Sequence, residues 1–497
     1  MLEYVLKNTA DFLASKPKEE RKKIGQFFTS KETAVYMASL FRIDNLKEIC
    51  VLDPGAGSGI LVAALVDRLQ SVDTIKTLNI TCFENNNCIL PLLEHNMKYL
   101  QEQSKIKIIF DIINDNYILS QKNEYNNFSG TEHTQNKSKY DLVIGNPPYL
   151  KIPKDAPEAL AMPNVCYGAP NLYFLFASMS LFDLTDGGEM VYIIPRSWTS
   201  GAYFKKFREY ALNHARITHI HLFVSRDKVF DNEQVLQETI IIKFVKTAER
   251  QENLTITSSA SNQDFENSLS LTVPYDTAIS GSNLYVYLVT TEDEVQGLRK
   301  LNQLHYTLED IGLKMKTGLT VDFRNQELLR DAPGDHIVPL FYSQHIQDGR
   351  VVFPIGKEFE YMTNAQAGMI QSNKNYLFVK RFTAKEEKRR LQCGIYLSSS
   401  FPNYQFISTQ NKINFIDAVD KSCMCEDLAF GLYAIFNSSI YDQYYRILNG
   451  STQVNSTEVN TMPVPSKEAL IGLGKKLKRK QCLSVEICDA LIEEIIV

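Results

Sequence analysis

The chain has 497 residues, of which 44% are hydrophobic and 22% are charged, an ordinary composition for a globular protein. Its formal net charge of −5 argues against a general polyanion binder, although a local basic cleft could still bind nucleic acid. No apolar run approaches the roughly 20 residues that cross a bilayer, and the first residues lack the apolar core of a signal peptide. We therefore expect a cytoplasmic protein of two or three domains that does not bind membranes.

Cysteine and histidine spacing gives no sign of a metal site. The nine cysteines are scattered, and their odd number argues against a disulfide framework. Cys423 and Cys425 form a close pair, but a second pair that would complete a zinc site does not follow. We predict that the protein holds no metal.

From about residue 45 the sequence alternates strand-like and helical segments. The predicted strands, in chain order, are EICVLD, LNITCF, IKIIFDII, YDLVIG, EMVYIIP, ITHIHLF and ETIIIKFV. Helical spacing of apolar residues is found in ILVAALVDRLQ, CILPLLEHNMKYLQ, NLYFLFASMSLF and AYFKKFREYAL. This order predicts an α/β fold with a doubly wound, mostly parallel sheet, to which the late strands add an antiparallel edge.

Polar stretches and a change of pattern suggest the domain division. We interpret residues 120–139 as a flexible surface excursion and residues 258–268 as a loop near the end of the first domain. Beyond about residue 300 the pattern becomes less regular, which indicates a second, mixed α+β domain. The predicted division is a helical lead-in, an α/β domain, a linker region and a second domain with a C-terminal helix, over residues 1–22, 23–255, 256–300 and 301–497.

The turn after the first strand, in VLDPGAGSG, is rich in glycine. Asp53 ends the strand, and Gly55, Gly57 and Gly59 let the following backbone approach a ligand closely. The dinucleotide fingerprint would require a glycine where Ile60 stands, and the Lys-Ser/Thr pair of a phosphate-binding loop is missing. The turn therefore favours a nucleoside without a phosphate chain.

Two acidic residues follow the next strands. Glu84 ends the second strand, where a carboxylate can accept both ribose hydroxyls, and Asp115 could accept a hydrogen bond from an adenine amino group. A glycine-rich turn alone is a weak signal, and Glu84 alone could be an exposed strand end. Their combination and spacing favour S-adenosylmethionine, bound where open α/β sheets bind ligands, at the carboxyl ends of the strands.

The fourth strand runs directly into Asn146-Pro147-Pro148-Tyr149. Prolines fix φ and remove backbone donors, and the residue before a proline is held extended. We therefore expect a stiff, open corner whose carbonyl groups can accept hydrogen bonds from another molecule.

Several motifs occur in one order along the chain. They are GQFFTS (25–30), DPGAGSG (53–59), Glu84, Asp115, NPPY (146–149), GGEMVYIIPRSW (187–198), KVFDNEQVLQETIIIKF (228–244) and LNGSTQVNSTEVNTMPVP. In this order they resemble the adenine-N6 DNA methyltransferases of restriction-modification systems, in the class whose target-recognition region follows the catalytic domain. The resemblance is strong over residues 20–250 and looser beyond, and the ordered set is far more specific than NPPY alone.

The resemblance implies site-specific methyl transfer from S-adenosylmethionine to N6 of an adenine flipped out of double-stranded DNA. It gives residues 23–255 the catalytic role and residues 301–497 target recognition. The implied catalytic residues are Asn146, Pro147 and Tyr149, with Tyr149 and Phe230 stacking on the flipped base. The implied cofactor contacts are Gln26, Phe27, Thr29, Asp53, Gly55, Ala56, Gly57, Glu84, Asn85, Asp115 and Asn146.

The chain departs from the family pattern at one position. The family commonly has a proline after the threonine of GQFFT, where this chain has Ser30. The backbone turn could form without that proline. The short motif around Asp115 is a weaker match than the others.

Adenine N6 explains why a neutral amide is suitable at this corner. The amine is a poor nucleophile because its lone pair is delocalised into the ring. Oxygen acceptors from the Asn146 side chain and the Pro147 backbone could hold both amino hydrogens and localise the lone pair. Flipping the base costs a few kcal/mol, part of which stacking on aromatic residues, worth roughly 1–3 kcal/mol per base, can offset.

Two basic clusters are candidates for DNA contact. In the first, residues 379–390, solvated helix faces and phosphate contact are about equally supported, and its candidate contacts are Lys380, Arg381, Arg389 and Arg390. For the second, residues 475–480, we favour a solvated helix face. Arg324, Arg330 and Arg446 are chemically suited to guanine, as are many surface arginines.

Alternative functions remain open at this stage. Similar corners serve methyltransferases that act on RNA bases or on protein glutamine, while cytosine-N4 enzymes more often have serine in place of the asparagine. The residues before Gly25 are too few for a nuclease domain fused at that end. A non-catalytic DNA-binding phage-defence component is a further alternative, against which intact Asn146, Asp53 and Glu84 argue. The expected partners are double-stranded DNA and, as a further candidate, a separate restriction endonuclease, with the enzyme acting as a monomer.

Overall fold

The computed structural model describes residues 1–17, 28–43, 46–128, 139–223, 239–364, 366–384, 387–449, 452–480 and 482–496. The chain forms two compact units, Met1–Thr290 and Thr291–Val497. Each unit has its own sheets and core, and each is described separately below.

The first unit is built on a nine-stranded sheet with the strand order β3-β2-β1-β4-β5-β7-β6-β8-β9. The strands are β1 (Glu48–Asp53), β2 (Thr77–Phe83), β3 (Lys107–Ile113), β4 (Tyr140–Gly145), β5 (Leu184–Pro195), β6 (Arg216–Phe223), β7 (Thr239–Val245), β8 (Asn253–Ser259) and β9 (Leu269–Pro274). A short antiparallel pair follows, β10 (Ile279–Ser280) and β11 (Tyr285–Val286). The pairs β1–β2, β2–β3, β1–β4, β4–β5 and β6–β8 are parallel, which confirms the predicted fold class.

The helices of the first unit connect these strands. They are α1 (Leu2–Ala14), α2 (Lys31–Ser39), α3 (Ile60–Leu69), α4 (Leu90–Gln103), α5 (Tyr117–Phe128), α6 (Pro157–Ala161), α7 (Leu172–Asp183), α8 (Lys205–His214) and α9 (Tyr275–Ala278). The core includes β1 residues Val51 and Ile49 and the α3 residues Val62, Ala63 and Leu65, all 1% exposed or less. Such continuous apolar runs are typical of parallel strands with both faces covered.

The late strands differ in detail from the prediction. β7 is antiparallel to both of its neighbours, β5 and β6, and therefore lies inside the sheet. The antiparallel edge is formed by β9, which pairs with β8. β9 and most of β8 lie in residues 256–300, so that segment contributes strands to the sheet and is not simply a linker. The boundary between the units falls at Thr290.

The polar excursion predicted for residues 120–139 is also partly a regular element. Its first residues belong to α5, which buries Tyr117, Ile118 and Tyr125 at 4% exposure or less. The solvent face of this helix carries the polar residues that dominate the sequence pattern. Residues 129–138 lie outside the described part of the chain.

The second unit contains a six-stranded sheet, β12-β22-β19-β20-β16-β15, and a five-stranded sheet, β13-β17-β14-β21-β18. The strands are β12 (Leu313–Thr317), β13 (Leu329–Arg330), β14 (Ile337–Phe341), β15 (Ile346–Gln347), β16 (Arg350–Val351), β17 (Tyr361–Thr363), β18 (Gln371–Ser372), β19 (Tyr376–Lys380), β20 (Cys393–Tyr396), β21 (Phe406–Thr409) and β22 (Ile413–Ala418). Its helices are α10 (Glu292–Asn302), α11 (Glu426–Phe436), α12 (Ser439–Leu448), α13 (Ser456–Asn460), α14 (Lys467–Lys478) and α15 (Val485–Glu493). This is the mixed α+β architecture expected from the sequence.

Helix contacts in the second unit depend on small residues. Gly431 in α11 and Gly474 in α14 have no space for a Cβ, because the backbone of Leu470 and of Asp427, respectively, lies directly against them.

Among the helices that the structure describes, none has the length and apolar character needed to cross a membrane.

Candidate active site

A cavity of about 330 Å³ lies at the carboxyl ends of β1 and β4. The strand order reverses direction between these two strands, and open α/β sheets bind ligands at such a switch point. Most of the residues predicted for the site line this cavity: Thr29, Gly55, Ala56, Gly57, Glu84, Asn85, Asp115, Asn146, Pro147 and Tyr149. Five separate sequence motifs therefore meet in one place.

The glycine-rich turn has the conformation that its sequence predicts. Gly57 and Gly59 have φ values of 54° and 84°, in the left-handed region that favours glycine. A Cβ at Gly57 would lie 3.5 Å from the ring of Phe28. Glycine at positions 57 and 59 therefore allows the backbone conformation of this turn.

Glu84 fastens this turn while facing the cavity. Its carboxylate accepts hydrogen bonds from the backbone N–H groups of Gly57, at 3.0 Å, and of Asn86, at 2.8 Å. Burial raises the pKa of Glu84, and these backbone donors act in the opposite direction. Each carboxylate oxygen retains acceptor capacity for a further donor, such as a ribose hydroxyl.

Asp53 lies behind the cavity lining, directly before Pro54. It is 1% exposed, and its Oδ1 accepts a 3.3 Å hydrogen bond from the Gly55 N–H. Its Oδ2 has no hydrogen-bond partner among the described residues. Burial raises the pKa of Asp53 to about 7, with the nearby Glu84 adding to the rise. A buried acceptor of this kind is costly to leave unpaired, which marks it for a donor from outside the protein.

The N-terminal helix supports the turn from outside. The Thr9 hydroxyl of α1 donates to the Ser58 hydroxyl at 2.9 Å, and Asn8 donates to the Asn96 side chain at 2.9 Å. Asn96 in turn donates to the Ser58 carbonyl at 2.8 Å. The segment expected only as a lead-in thus helps to hold the ligand-facing turn.

Asn146 is the centre of the predicted catalytic corner. Its Nδ2 donates to the Thr29 hydroxyl at 3.3 Å, and its Oδ1 accepts from the Tyr149 hydroxyl at 2.8 Å. A partner on each side of the amide fixes which edge carries the oxygen. The side chain is half-buried, and the neighbouring Pro147 is buried.

Tyr149 is held by its hydroxyl as well as by packing. The same hydroxyl lies 2.9 Å from the Ile193 carbonyl, and the ring packs edge-on against Tyr173 with centroids 6.3 Å apart. Burial raises the pKa of Tyr149, so its hydroxyl remains protonated at neutral pH and acts as a donor.

Some predicted positions cannot be compared with the structure. Gln26, Phe27 and Phe230 lie outside the described residues. Ser30, the departure from the family pattern, is the N-cap of α2 and accepts a 3.3 Å hydrogen bond from the Thr33 N–H. A helix cap therefore stands where the family commonly has proline, and the helix still begins there.

The sequence analysis missed the apolar walls of the cavity. Phe28, Phe83, Tyr117, Leu172 and Phe176 line it. Leu172 and Phe176 are four residues apart on α7, a spacing that places both on one helix face. That spacing was visible in the sequence, but it also fits an ordinary core helix.

Three of the four predicted DNA contacts make hydrogen bonds within the protein. Arg390 is fully buried and donates to Thr383 and Asn449, so it cannot contact DNA in this conformation. Arg389 donates to the carbonyl of Ser438 at 2.9 Å, and Arg381 to that of Asn411 at 3.0 Å, which gives both a structural role. Lys380 is half-buried at the end of β19.

The second basic cluster is engaged within the protein. Lys478 forms an ion pair with Glu426 at 2.9 Å, and Lys476 pairs with Glu494. This agrees with the solvated helix face favoured from the sequence. Such exposed pairs contribute little stability.

Comparison with known proteins identifies the family. A family model described as the Eco57I restriction-modification methylase matches residues 63–230. The type II methyltransferase M.BsuBI of Bacillus subtilis is 34% identical over 466 residues, which cover 92% of this chain and 90% of that protein. The chain belongs to the type II methyltransferases of restriction-modification systems.

A second type II methyltransferase gives the same result. M.PstI of Providencia stuartii is 34% identical over 465 residues, covering 90% of this chain and 88% of that protein. The resemblance found in the sequence motifs is therefore confirmed. Family membership also supports the predicted cofactor, S-adenosylmethionine.

Two solved structures match the chain at low identity. The type IIG restriction endonuclease BpuSI matches with a TM-score of 0.45 and 13% identity, over 91% of this chain and 61% of that one. A nuclease-deletion mutant of the type ISP enzyme LlaGI, in complex with a DNA substrate mimic, matches with a TM-score of 0.47 and 11% identity, over 91% and 54% of the two chains.

Proposed function

We propose that this type II methyltransferase transfers a methyl group from S-adenosylmethionine to N6 of an adenine flipped out of double-stranded DNA. The observation that carries the proposal is the neutral amide of Asn146 in the same cavity as the glycine-rich turn and Glu84. An uncharged oxygen acceptor suits an amino nitrogen, whose hydrogens it can hold without burying a charge.

The cavity fits the cofactor by the chemistry of its donors and acceptors. Glu84 would accept the ribose hydroxyls, and Asp115 and Asn85 lie at the same wall for the adenine edge. The apolar side chains of Phe83 and Phe176 would cover the faces of the adenine ring. Bound there, S-adenosylmethionine supplies an electrophilic methyl group on a positively charged sulfur.

Asp53 fits a ligand that carries positive charge or donors. Its unpaired Oδ2 would gain a partner through the amino group of the methionine portion or through a water between them. Thr29 would contact the same end of the cofactor, as the GQFFT motif implies.

The acceptor pair would act on the substrate amine. Asn146 Oδ1 and the Pro147 carbonyl would each accept one hydrogen of N6, which favours a tetrahedral nitrogen and localises its lone pair. Both oxygens also stabilise positive charge as it develops on the nitrogen. Neither is a base at neutral pH, so the corner works by orientation and electrostatics. The methylated nitrogen would lose one proton to solvent water, and S-adenosylhomocysteine would be the leaving group.

Aromatic side chains would hold the flipped base. Tyr149 lines the cavity and would stack on the adenine, with Phe230 on the other face. The hydrogen bond from the Tyr149 hydroxyl to the Ile193 carbonyl, at 2.9 Å, would keep that ring in place as the base enters.

The wider biological setting follows from the substrate. Action on chromosomal DNA would place the enzyme in the cytoplasm, where we propose that it acts as a monomer. A separate restriction endonuclease with the same target would be its functional counterpart.

The direct test is to incubate the protein with S-adenosylmethionine labelled in the methyl group and with DNA, RNA or protein as acceptor. We expect label in DNA, recovered as N6-methyladenine after digestion to nucleosides. Asn146→Ala should abolish transfer while leaving cofactor affinity within about threefold of wild type. Label in RNA or protein alone, or as N4-methylcytosine, would refute the proposal, and so would a wild-type protein that binds DNA and transfers nothing.

A further inference from the structure

In the second unit, aromatic and basic side chains from distant segments lie around one turn. We name Phe323, Arg324, Arg381, Phe382 and Lys412 the aromatic-basic patch. The turn at its centre, residues 410–412, connects β21 to β22. The patch contains Arg381, one of the four basic residues named from the sequence as candidate DNA contacts, and Arg324, which the sequence analysis named as suited to guanine.

Backbone hydrogen bonds fix one flank of the turn. The Thr320 N–H donates to the Thr409 carbonyl at 2.9 Å, and the Asn411 N–H donates to the Thr320 carbonyl at 2.8 Å. The Gln410 side chain then donates to Asp322 Oδ1 at 3.1 Å. These bonds place the short 3-10 helix Asp322–Arg324 beside the turn.

The other flank is fixed by Arg381. Its N–H donates to the Lys412 carbonyl at 2.9 Å, and its guanidinium donates to the Asn411 carbonyl at 3.0 Å. Phe382, the next residue, bridges to Gln453. Phe323 and Phe382 therefore lie on opposite sides of the same turn, each next to a backbone segment that hydrogen bonds hold in place.

Exposure of the two phenylalanines distinguishes this surface. Phe323 is 65% exposed and Phe382 is 45% exposed, although burial of a phenylalanine side chain is favourable. Each lies beside an arginine, with the guanidinium carbons of Arg324 and Arg381 at 5.5 and 5.6 Å from the ring centres. Exposed apolar groups rimmed by charge are typical of binding surfaces.

The charges around the turn favour a polyanion. Arg324 and Lys412 are exposed. Asp322, directly before Phe323, accepts hydrogen bonds from the Gln410 side chain and from the Phe323 N–H at 3.0 Å, so its charge is partly engaged inside the protein. Arginine, lysine and aromatic rings together suit nucleic acid, where they meet base edges, phosphates and base faces.

We propose that the aromatic-basic patch is a surface through which the second unit binds double-stranded DNA, which rests on the proposed function. Arg324 meets base edges, Phe323 packs against the bases or sugars beside it, and Lys412 meets a phosphate. This assigns the recognition role to a specific surface of the C-terminal unit and removes Arg390 from it.

The test uses the full chain and five single variants: Phe323→Ala, Arg324→Ala, Arg324→Lys, Lys412→Ala and, as control, Arg299→Ala. Arg299 is an exposed arginine of the same unit, on α10. Binding to a duplex that the wild type methylates is measured by fluorescence anisotropy over a range of salt concentrations, and methylated positions are mapped by sequencing.

We expect Arg324→Ala to weaken binding by about tenfold to a hundredfold and to broaden the set of methylated sequences. Lys412→Ala should weaken binding to all duplexes alike and lower the slope of log affinity against log salt by about 0.9. Phe323→Ala should weaken binding by at least about fivefold. Arg299→Ala should match wild type, and Arg324→Lys should restore affinity but not sequence discrimination.

The outcomes separate this proposal from the proposed function. A wild type that methylates DNA, with Arg324→Ala and Lys412→Ala behaving like Arg299→Ala, refutes the patch alone. A wild type that labels only RNA or protein refutes the function itself. Variants that keep DNA affinity but change the mass of the particle in solution would show that the patch binds protein. Cofactor affinity and the unfolding midpoint, measured for each variant, identify any that fail to fold.

Discussion

The buried carboxylate of Asp53 makes a sharp prediction about stability and pH. Its pKa is about 7 in the folded protein against an ordinary 3.8, because burial penalises the charged form. Between these two values the folded state binds a proton that the unfolded state has lost. Stability therefore falls as pH rises through this window, and the full penalty is present above about pH 7.

The pKa difference sets the size of the effect. A rise from 3.8 to about 7 corresponds to about 4 kcal/mol of destabilisation when Asp53 is ionised, at 1.36 kcal/mol for each pKa unit. About 1.7 kcal/mol of this is present at about pH 5, so about 2.5 kcal/mol is added by about pH 8.5. Asp53→Asn cannot ionise, and its amide oxygen can still accept from the Gly55 N–H.

The assay compares the free energy of unfolding of wild type and Asp53→Asn at about pH 5 and about pH 8.5 in the absence of cofactor. We expect the variant to gain about 2.5 kcal/mol relative to wild type between these two pH values. Asp155→Asn, which changes an exposed carboxylate of the same unit, is the matched control. A difference between Asp53→Asn and wild type that is equal at both pH values would refute the reasoning.

Three further predictions follow from contacts at the site and in the second unit. Thr29→Val removes the acceptor for Asn146 Nδ2, so we expect about a tenfold loss of kcat with little change in DNA affinity, while Thr29→Ser retains activity. Glu84→Gln should weaken S-adenosylmethionine binding at least about tenfold in a calorimetric titration, because a carboxylate acceptor of the hydroxyl donors is lost. Arg390→Met should lower the stability of the second unit by about 3 kcal/mol, since the buried Asn449 and Thr383 lose a charged partner. If Arg390→Met loses DNA binding, we expect the loss only under conditions in which the variant is unfolded.

The strands around the site were predictable because their signal is local. Each parallel strand is a short apolar run, and a polar residue stands at or directly after its carboxyl end, as with Asp53, Glu84 and Asn146. Since all parallel strands end at one edge, the meeting of these residues also followed from the sequence. The apolar walls of the cavity could not be predicted in this way. Phe176 is an apolar residue on an apolar helix, and its spacing does not distinguish a ligand contact from core packing.

The misjudged segments have physical reasons. α5 has few buried positions, among them Tyr117, Ile118 and Tyr125. Its sequence is therefore mostly polar and shows no clear helical pattern, although tertiary packing stabilises the helix. β8 lies in a segment that was expected to be a linker, although Leu254 and Ile256 alternate with β-branched threonines. A single strand pattern could not show that the sheet continues beyond seven strands.

Arg390 illustrates a more general limit. Charge patterning assigned it to a basic surface, but its backbone N–H donates to Asp442 Oδ1 at 2.7 Å and its side chain lies among Tyr445, Thr383 and Asn449. A buried arginine is tolerated only when such partners are present. Apart from the nearby Thr383, these partners come from α12 and its C-terminal end, 52 to 59 residues away. The sequence shows the charge of Arg390 but not the distant residues that pair with it.

The proposed mechanism requires Asn146 Oδ1 to change its hydrogen-bond partner. In that mechanism Asn146 Oδ1 is satisfied within the protein before substrate enters, and it accepts a hydrogen from N6 afterwards. The Tyr149 hydroxyl lies within hydrogen-bond distance of both Asn146 Oδ1 and the Ile193 carbonyl, at 2.8 and 2.9 Å, but has one hydrogen to donate. When N6 occupies Oδ1, that hydrogen can go fully to Ile193 and no donor is left unpaired. Substrate entry therefore exchanges one hydrogen bond for another, which lowers the cost of loading the site.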